Sequence, residues 1–163
     1  MISEIRGKKS YGMLDLYEEL KILVAELEER KIDYALCGGL ALAVHGIPRA
    51  TVDIDILIPK ILLNNVQRLA MELGYTQIAE PMIFARGAIE IHRISKIDPD
   101  TRDLLSLDLL LVTPQVETIW SSRQEVGWEK GKFSPFNTSK SYSHFLQANE
   151  HWVFSEISLP RGR

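Results

Sequence analysis

Cysteine is nearly absent: Cys37 stands alone in 163 residues. No internal disulfide and no cysteine-based zinc site can form, which excludes a disulfide-stapled secreted fold and favours a reducing compartment, the cytoplasm. Long hydrophobic runs are equally scarce. The longest stretch free of Asp, Glu, Lys and Arg, from Tyr34 to Pro48, is broken by glycines, a histidine and a proline, and the N-terminal MISEIRGKKS has no apolar core. Neither a membrane span nor a signal peptide is expected. Positive charge is not in excess either, since 19 Lys+Arg against 22 Asp+Glu give a formal net charge of −3. That argues against binding nucleic acid through bulk charge, although it is compatible with a local basic patch. What is present is the composition of an ordinary globular domain, 45% hydrophobic and 25% charged. Such a chain buries roughly two thirds of its unfolded surface without help from a metal or a partner.

Leu16, Leu20, Leu23 and Leu27 recur at helical spacing, so residues 14–31 are expected to form an amphipathic helix with Arg30 and Lys31 in its last turn. YALCGG followed by LALAVHG reads as strand, tight turn and short helix, ended by Gly46 and Pro48. From Thr51 to Ile58 the residues alternate, placing Asp53, Asp55 and Leu57 on one strand face and Ile54, Ile56 and Ile58 on the other. Pro59 opens a second helix that Gly74 stops. A strand is expected at 88–94, with Glu90 and His92 on one face and Ile89 and Ile91 on the other. SLDLLLV at 106–112 reads as a buried central strand, and Pro114 opens a short helix toward Trp120. Beyond Ser121 no period is sustained.

Three acids stand in apolar strand contexts: Asp53 and Asp55 in VDIDILI, and Asp108 in LSLDLLLV. Burying an ionised carboxylate is costly unless it is paired, hydrogen-bonded or bound to a cation. If the three converge, each close pair at about 4 Å repels by roughly 4 kcal/mol at an effective dielectric of about 20. Protons or divalent cations must relieve this, and removing Asp108 from the metal-free protein should then raise its melting point. With oxygen donors, no further cysteine and no His-x-x-x-His pair, the fitting ion is magnesium or manganese rather than zinc. Upstream, Gly38-Gly39 ends a strand and opens a helix, where bare N–H groups can hold phosphates.

The stretch YALCGGLALAVHGIPRATVDIDILIP resembles the signature of the nucleotidyltransferase superfamily, the DNA polymerase β-like fold. Gly38, Gly39, Asp53 and Asp55 match it, and Asp108 suits its third acid. The form GGLAxxxHGxPRxTxDIDI is similar to small bacterial minimal nucleotidyltransferases and AbiEii-type nucleotidyltransferase toxins. The resemblance covers about residues 14–120. It implies an α/β (α+β) fold, a mixed sheet of about four or five strands flanked by helices. It also implies magnesium- or manganese-dependent transfer of a nucleoside monophosphate from a nucleoside triphosphate such as ATP to a hydroxyl. Asp53, Asp55 and Asp108 would be the catalytic and metal-binding acids, with Asp108 helping to deprotonate the acceptor. Gly38, Gly39 and Arg49 would contact the nucleotide. The acceptor, whether protein, tRNA or small molecule, is not chosen by these residues. A rival reading is a non-catalytic nucleotide- or partner-binding member, for example one component of a toxin–antitoxin pair that acts with a partner protein.

On this reading residues 1–120 form the core domain. Residues 121–163 form an atypical tail, truncated or frameshifted relative to members that continue with further helices. Bland readings weigh against single features. A histidine at a helix C-terminus, as His45 would be, is more often simply favourable to the dipole than a ligand. Glu90 and His92 are expected to be solvated, and Cys37 is expected to be a small buried residue.

Overall fold

The computed structural model describes residues 13–44, 51–99, 102–123, 126–129 and 132–135. Helix α1 (Met13–Glu29) lays Leu16, Leu20, Leu23 and Leu27 into the core, the last three with no exposed surface. Burial of each such leucine is worth about 1.5–3 kcal/mol. The helix ends two residues earlier than the basic pair suggests, because Lys31 adopts φ 53°. There Lys31 N–H donates to the Glu28 carbonyl and Ile32 N–H to the Leu27 carbonyl, a Schellman cap that satisfies two terminal acceptors. Strand β1 (Ala35–Cys37) leads directly into α2 (Gly38–Val44), so the glycine pair forms the helix's first turn.

Strand β2 (Asp53–Pro59) is followed by a 3-10 turn over Lys60–Leu62 and by α3 (Leu63–Glu72). Pro59 therefore closes the strand instead of opening the helix. Gly74, at φ 92°, is the expected left-handed stop, with Tyr75 N–H donating to the Ala70 carbonyl. The short strands β3 (Gln77–Ile78) and β4 (Met82–Phe84) precede two long ones, β5 (Ile89–Ile97) and β6 (Leu104–Val112). Helix α4 (Glu117–Ser121) follows. The last described pieces, β7 (Val126–Glu129) and β8 (Lys132–Pro135), pair as a separate antiparallel hairpin. No periodicity in that region announces it.

Six strands form one mixed sheet in the order β1-β2-β6-β5-β3, with β4 also on β5. Strands β2 and β6 are parallel and central, and their neighbours run antiparallel. One face carries Ile54, Ile56, Ile58, Ile94, Leu105, Leu107, Leu109 and Leu111, all buried under α1 and α3. The other face carries Ala35, Cys37, Leu57, Ile89, Ile91 and Leu110, capped by Val116 and Ile119 around α4. No helix among the described residues is long and apolar enough to cross a membrane.

Candidate active site

The second face changes character along the strands. Its apolar end is the row Leu57–Leu110–Ile91, aligned by the β2–β6 and β6–β5 registers. One pleat away, the register places Cys37, Asp55, Asp108 and Arg93 side by side across β1, β2, β6 and β5. The next row is Asp53, Ser106 and Ser95, and the two serine hydroxyls there bond to each other at 3.0 Å. The three acids expected to meet therefore share one sheet face. Asp53 and Asp55 are two residues apart on β2, and Asp108 sits directly beside Asp55.

Arg93 is the residue the sequence reading did not anticipate. Its Nε donates to Asp108 Oδ1 at 2.7 Å and its Nη2 to Asp108 Oδ2 at 2.7 Å, a bidentate pair. The same Nη2 reaches Asp53 Oδ2 at 3.2 Å. Asp108 is only 5% exposed, so this pairing answers the cost of its burial. A signal for Arg93 did exist: alternation puts it on the strand face of Ile89 and Ile91, where a charge needs a partner as much as Asp108 does.

Gly38 lies hard against this row. Its φ is 67°, and a Cβ built there would fall 2.0 Å from Asp55 Oδ2. Only glycine lets the chain pass the carboxylate. Gly39 is confined differently, since its Cβ would stand 2.7 Å from the Thr51 Cβ. Thr51 Oγ1 in turn bonds to the Asp53 carbonyl at 3.2 Å, tying the entry of β2 to the glycine turn.

Burial pushes the Asp55 carboxyl up to about 7, the neighbouring Asp108 and Asp53 push the same way, and Arg93 opposes them. Asp53 is also raised, by burial, with Arg93 pulling it back and Asp108 adding to the rise. Hydrogen bonding to Asp108 holds the Arg93 guanidinium firmly charged. Cys37 is buried, and burial together with Asp55 and Asp108 pushes its thiol well up. It is a neutral wall of the site, not a nucleophile.

Among the described residues, no three His, Cys, Asp or Glu side chains are gathered so as to hold a metal ion by themselves. Arg93 engages both oxygens of Asp108 and one of Asp53. The Asp55 carboxylate accepts no hydrogen bond from any described residue. Three carboxylates less one guanidinium leave a formal −2 on oxygen donors, which suits a single hard divalent ion such as magnesium or manganese.

Glu90 and His92 lie elsewhere, on the helix-covered face, where His92 Nε2 meets Glu90 Oε1 at 2.8 Å and Lys60 meets Glu90 Oε2 at 3.1 Å. They are partly buried and paired rather than solvated. His45 and Arg49 lie outside the described residues, as do most residues of the tail beyond Arg123.

No protein-family model and no curated protein matches the sequence. Among solved structures, a Thermotoga maritima protein assigned as a nucleotidyltransferase aligns over 92% of this chain and 92% of its own, with a TM-score of 0.50 and 15% identity. The chain has the nucleotidyltransferase fold. Two larger proteins align less closely. ANT(2″)-Ia, solved with adenylyl-2″-tobramycin, gives a TM-score of 0.43 at 14% identity over 77% of this chain. The Helicobacter pylori protein JHP933 gives 0.43 at 16% over 83%. The present chain spans 58% and 54% of their lengths, respectively.

Proposed function

We propose that the protein transfers a nucleoside monophosphate from a nucleoside triphosphate to an acceptor hydroxyl, releasing pyrophosphate, with magnesium or manganese. One observation carries this reading. Asp53, Asp55 and Asp108, from two parallel strands, share one sheet face, and the glycine-opened turn at Gly38 abuts the Asp55 carboxylate. The nucleotidyltransferase fold supports it.

Asp53 and Asp55 would hold the metal, the Asp53 Oδ2 atom being already engaged by Arg93. The bound ion would acidify the acceptor hydroxyl and neutralise charge gathering on the leaving pyrophosphate. Gly38 and Gly39 would present bare backbone to the triphosphate, and Arg49, which lies outside the described residues, would add a positive charge to it. The acceptor oxygen bonds to the α-phosphorus as the bond to the bridging oxygen of the pyrophosphate breaks, and Asp108 helps to take the hydroxyl proton. Arg93 keeps Asp108 oriented while it does so. The apolar row Leu57–Leu110–Ile91 excludes water from the back of the site and strengthens these interactions.

Calorimetric titration of ATP, GTP, CTP and UTP, each with and without magnesium, tests the proposal on the wild type and on the Asp53→Asn/Asp55→Asn double variant. Magnesium-dependent binding of at least one nucleotide, lost in the variant, is expected. Absence of binding by any nucleotide in the wild type overturns it.

A further inference from the structure

A site that binds a divalent cation through carboxylates seldom tolerates a protein cation among them, because the two positive charges compete for the same oxygens. Here Arg93 occupies both oxygens of the buried Asp108 at 2.7 Å and touches Asp53 at 3.2 Å. It leaves Asp55 untouched, although Asp55 is in register with Asp108 on the neighbouring strand. Among the described residues the distribution is uneven in a definite way: one acid fully paired, one half paired and one without a hydrogen-bond partner. The β5–β6 register holds the Arg93 backbone opposite Asp108, so the guanidinium starts from beside that acid.

We infer that Arg93 is the resident cation of this site, a positioning residue that neutralises Asp108 in advance and so confines the divalent ion to Asp53 and Asp55. The inference rests on the nucleotidyl-transfer reading for the identity of the ion. It adds a limit on how many ions the protein binds by itself. With Asp108 engaged by Arg93, the nucleotide-free protein should bind one divalent ion, through Asp53 and Asp55. It also assigns the third acid a partner, so that Asp108 is held as a fixed carboxylate and is not a primary anchor for metal.

The test is a manganese titration of the full chain without nucleotide, at one fixed alkaline pH, following the loss of the free-ion signal by electron paramagnetic resonance. The wild type should bind one Mn²⁺, and Asp53→Asn/Asp55→Asn should not. Arg93→Met should bind at least about tenfold more tightly, since a full positive charge next to the ion is removed. Arg93→Lys, which keeps the charge but not the bidentate geometry, should remain within about threefold of the wild type. Arg93→Met leaves Asp108 buried and unpaired. Should it fail to fold, the double variant Arg93→Met/Asp108→Asn removes both charges together, and it should bind within about threefold of the wild type. Unchanged or weaker binding in Arg93→Met overturns the inference, as does a tenfold or greater loss in the double variant, which would make Asp108 itself an anchor. Absence of manganese binding in the wild type, or its survival in Asp53→Asn/Asp55→Asn, overturns the metal reading itself, a different failure from the first two.

Discussion

Asp55 should make the metal-free protein less stable as the pH rises. Its folded carboxyl is pushed up to about 7 by burial and by Asp108 and Asp53, whereas in the unfolded chain it titrates near 3.9. Between about pH 4 and about pH 7 the folded state therefore keeps a proton that the unfolded state has released, so unfolding becomes easier with each step upward in pH, and the loss levels off above about 7. About three pH units separate the two values, which sets a ceiling of roughly 4 kcal/mol at 1.36 kcal/mol per unit. Partial exposure of the carboxylate reduces the expected loss to about 2 kcal/mol, or about 4–8 °C in melting temperature for a chain of this size. Asp53, also raised, adds to the same trend. Glu90, held low by His92 and Lys60, works against it from a more open position. Asp55→Asn subtracts these background groups. Urea denaturation in the presence of a chelator, across this window, should show wild-type stability falling more steeply than the variant's, the two curves diverging toward neutral pH. Adding Mn²⁺ should restore the wild type most strongly above about pH 7, where Asp55 would otherwise stand ionised beside Asp108 and Asp53. Wild-type and Asp55→Asn curves that run parallel would refute the argument.

The remaining predictions follow from the same row of residues. Asp108→Asn should lower the melting point of the metal-free protein, because it replaces a bidentate charged pair with one neutral amide acceptor, at a cost of about 1–3 kcal/mol. A rise in melting point would show that repulsion among the acids outweighs the Arg93 bridge. Gly38→Ala forces a Cβ to within 2.0 Å of Asp55 Oδ2 at a positive φ. The backbone strain alone is about 1–2 kcal/mol, but the displaced carboxylate should cost more in function than in stability. Manganese affinity should fall by about tenfold or more while the protein remains folded by circular dichroism. Unchanged affinity would separate the glycine from the metal site.

Much of this arrangement was legible before any coordinates. Alternation in TVDIDILI separated acids from isoleucines correctly, and SLDLLLV, apolar on both sides of one aspartate, is the central strand it suggested. What escaped notice did so for identifiable reasons. The expectation that Asp108→Ala would stabilise the metal-free protein treated three acids as a closed system; Arg93 lies fifteen residues away on an antiparallel neighbour, and only the β5–β6 register brings it in. Short edge strands such as Met82–Phe84 carry too few residues for a period to emerge. Pro59 signals a helix start, yet its fixed φ of −57° with ψ 136° is as suitable for a strand's last residue as for a helix's first. The paired strands 126–129 and 132–135 have 4 residues each, again too few for a period to emerge.

Register and site are one constraint in this fold. On β2 and β6 the acids alternate with Ile54, Ile56, Leu107 and Leu109, all without exposed surface beneath α1 and α3. A slip of β2 by one residue would turn both aspartates into that helix-covered layer and put isoleucines in the row that holds Asp108 and Arg93. Each misplaced carboxylate would then be buried without Arg93, at a cost of several kcal/mol, and the isoleucines would leave Arg93 and Asp108 without their polar neighbours. The slipped sheet therefore loses on both faces at once. The apolar layer that builds the domain is thus what keeps Asp55 beside Asp108 and Asp108 within reach of Arg93. In the opposite direction, the acids and their arginine penalise any other pairing of the central strands. A variant that removes the acids should accordingly loosen the specificity of strand pairing, even where it raises the pH at which the protein is stable.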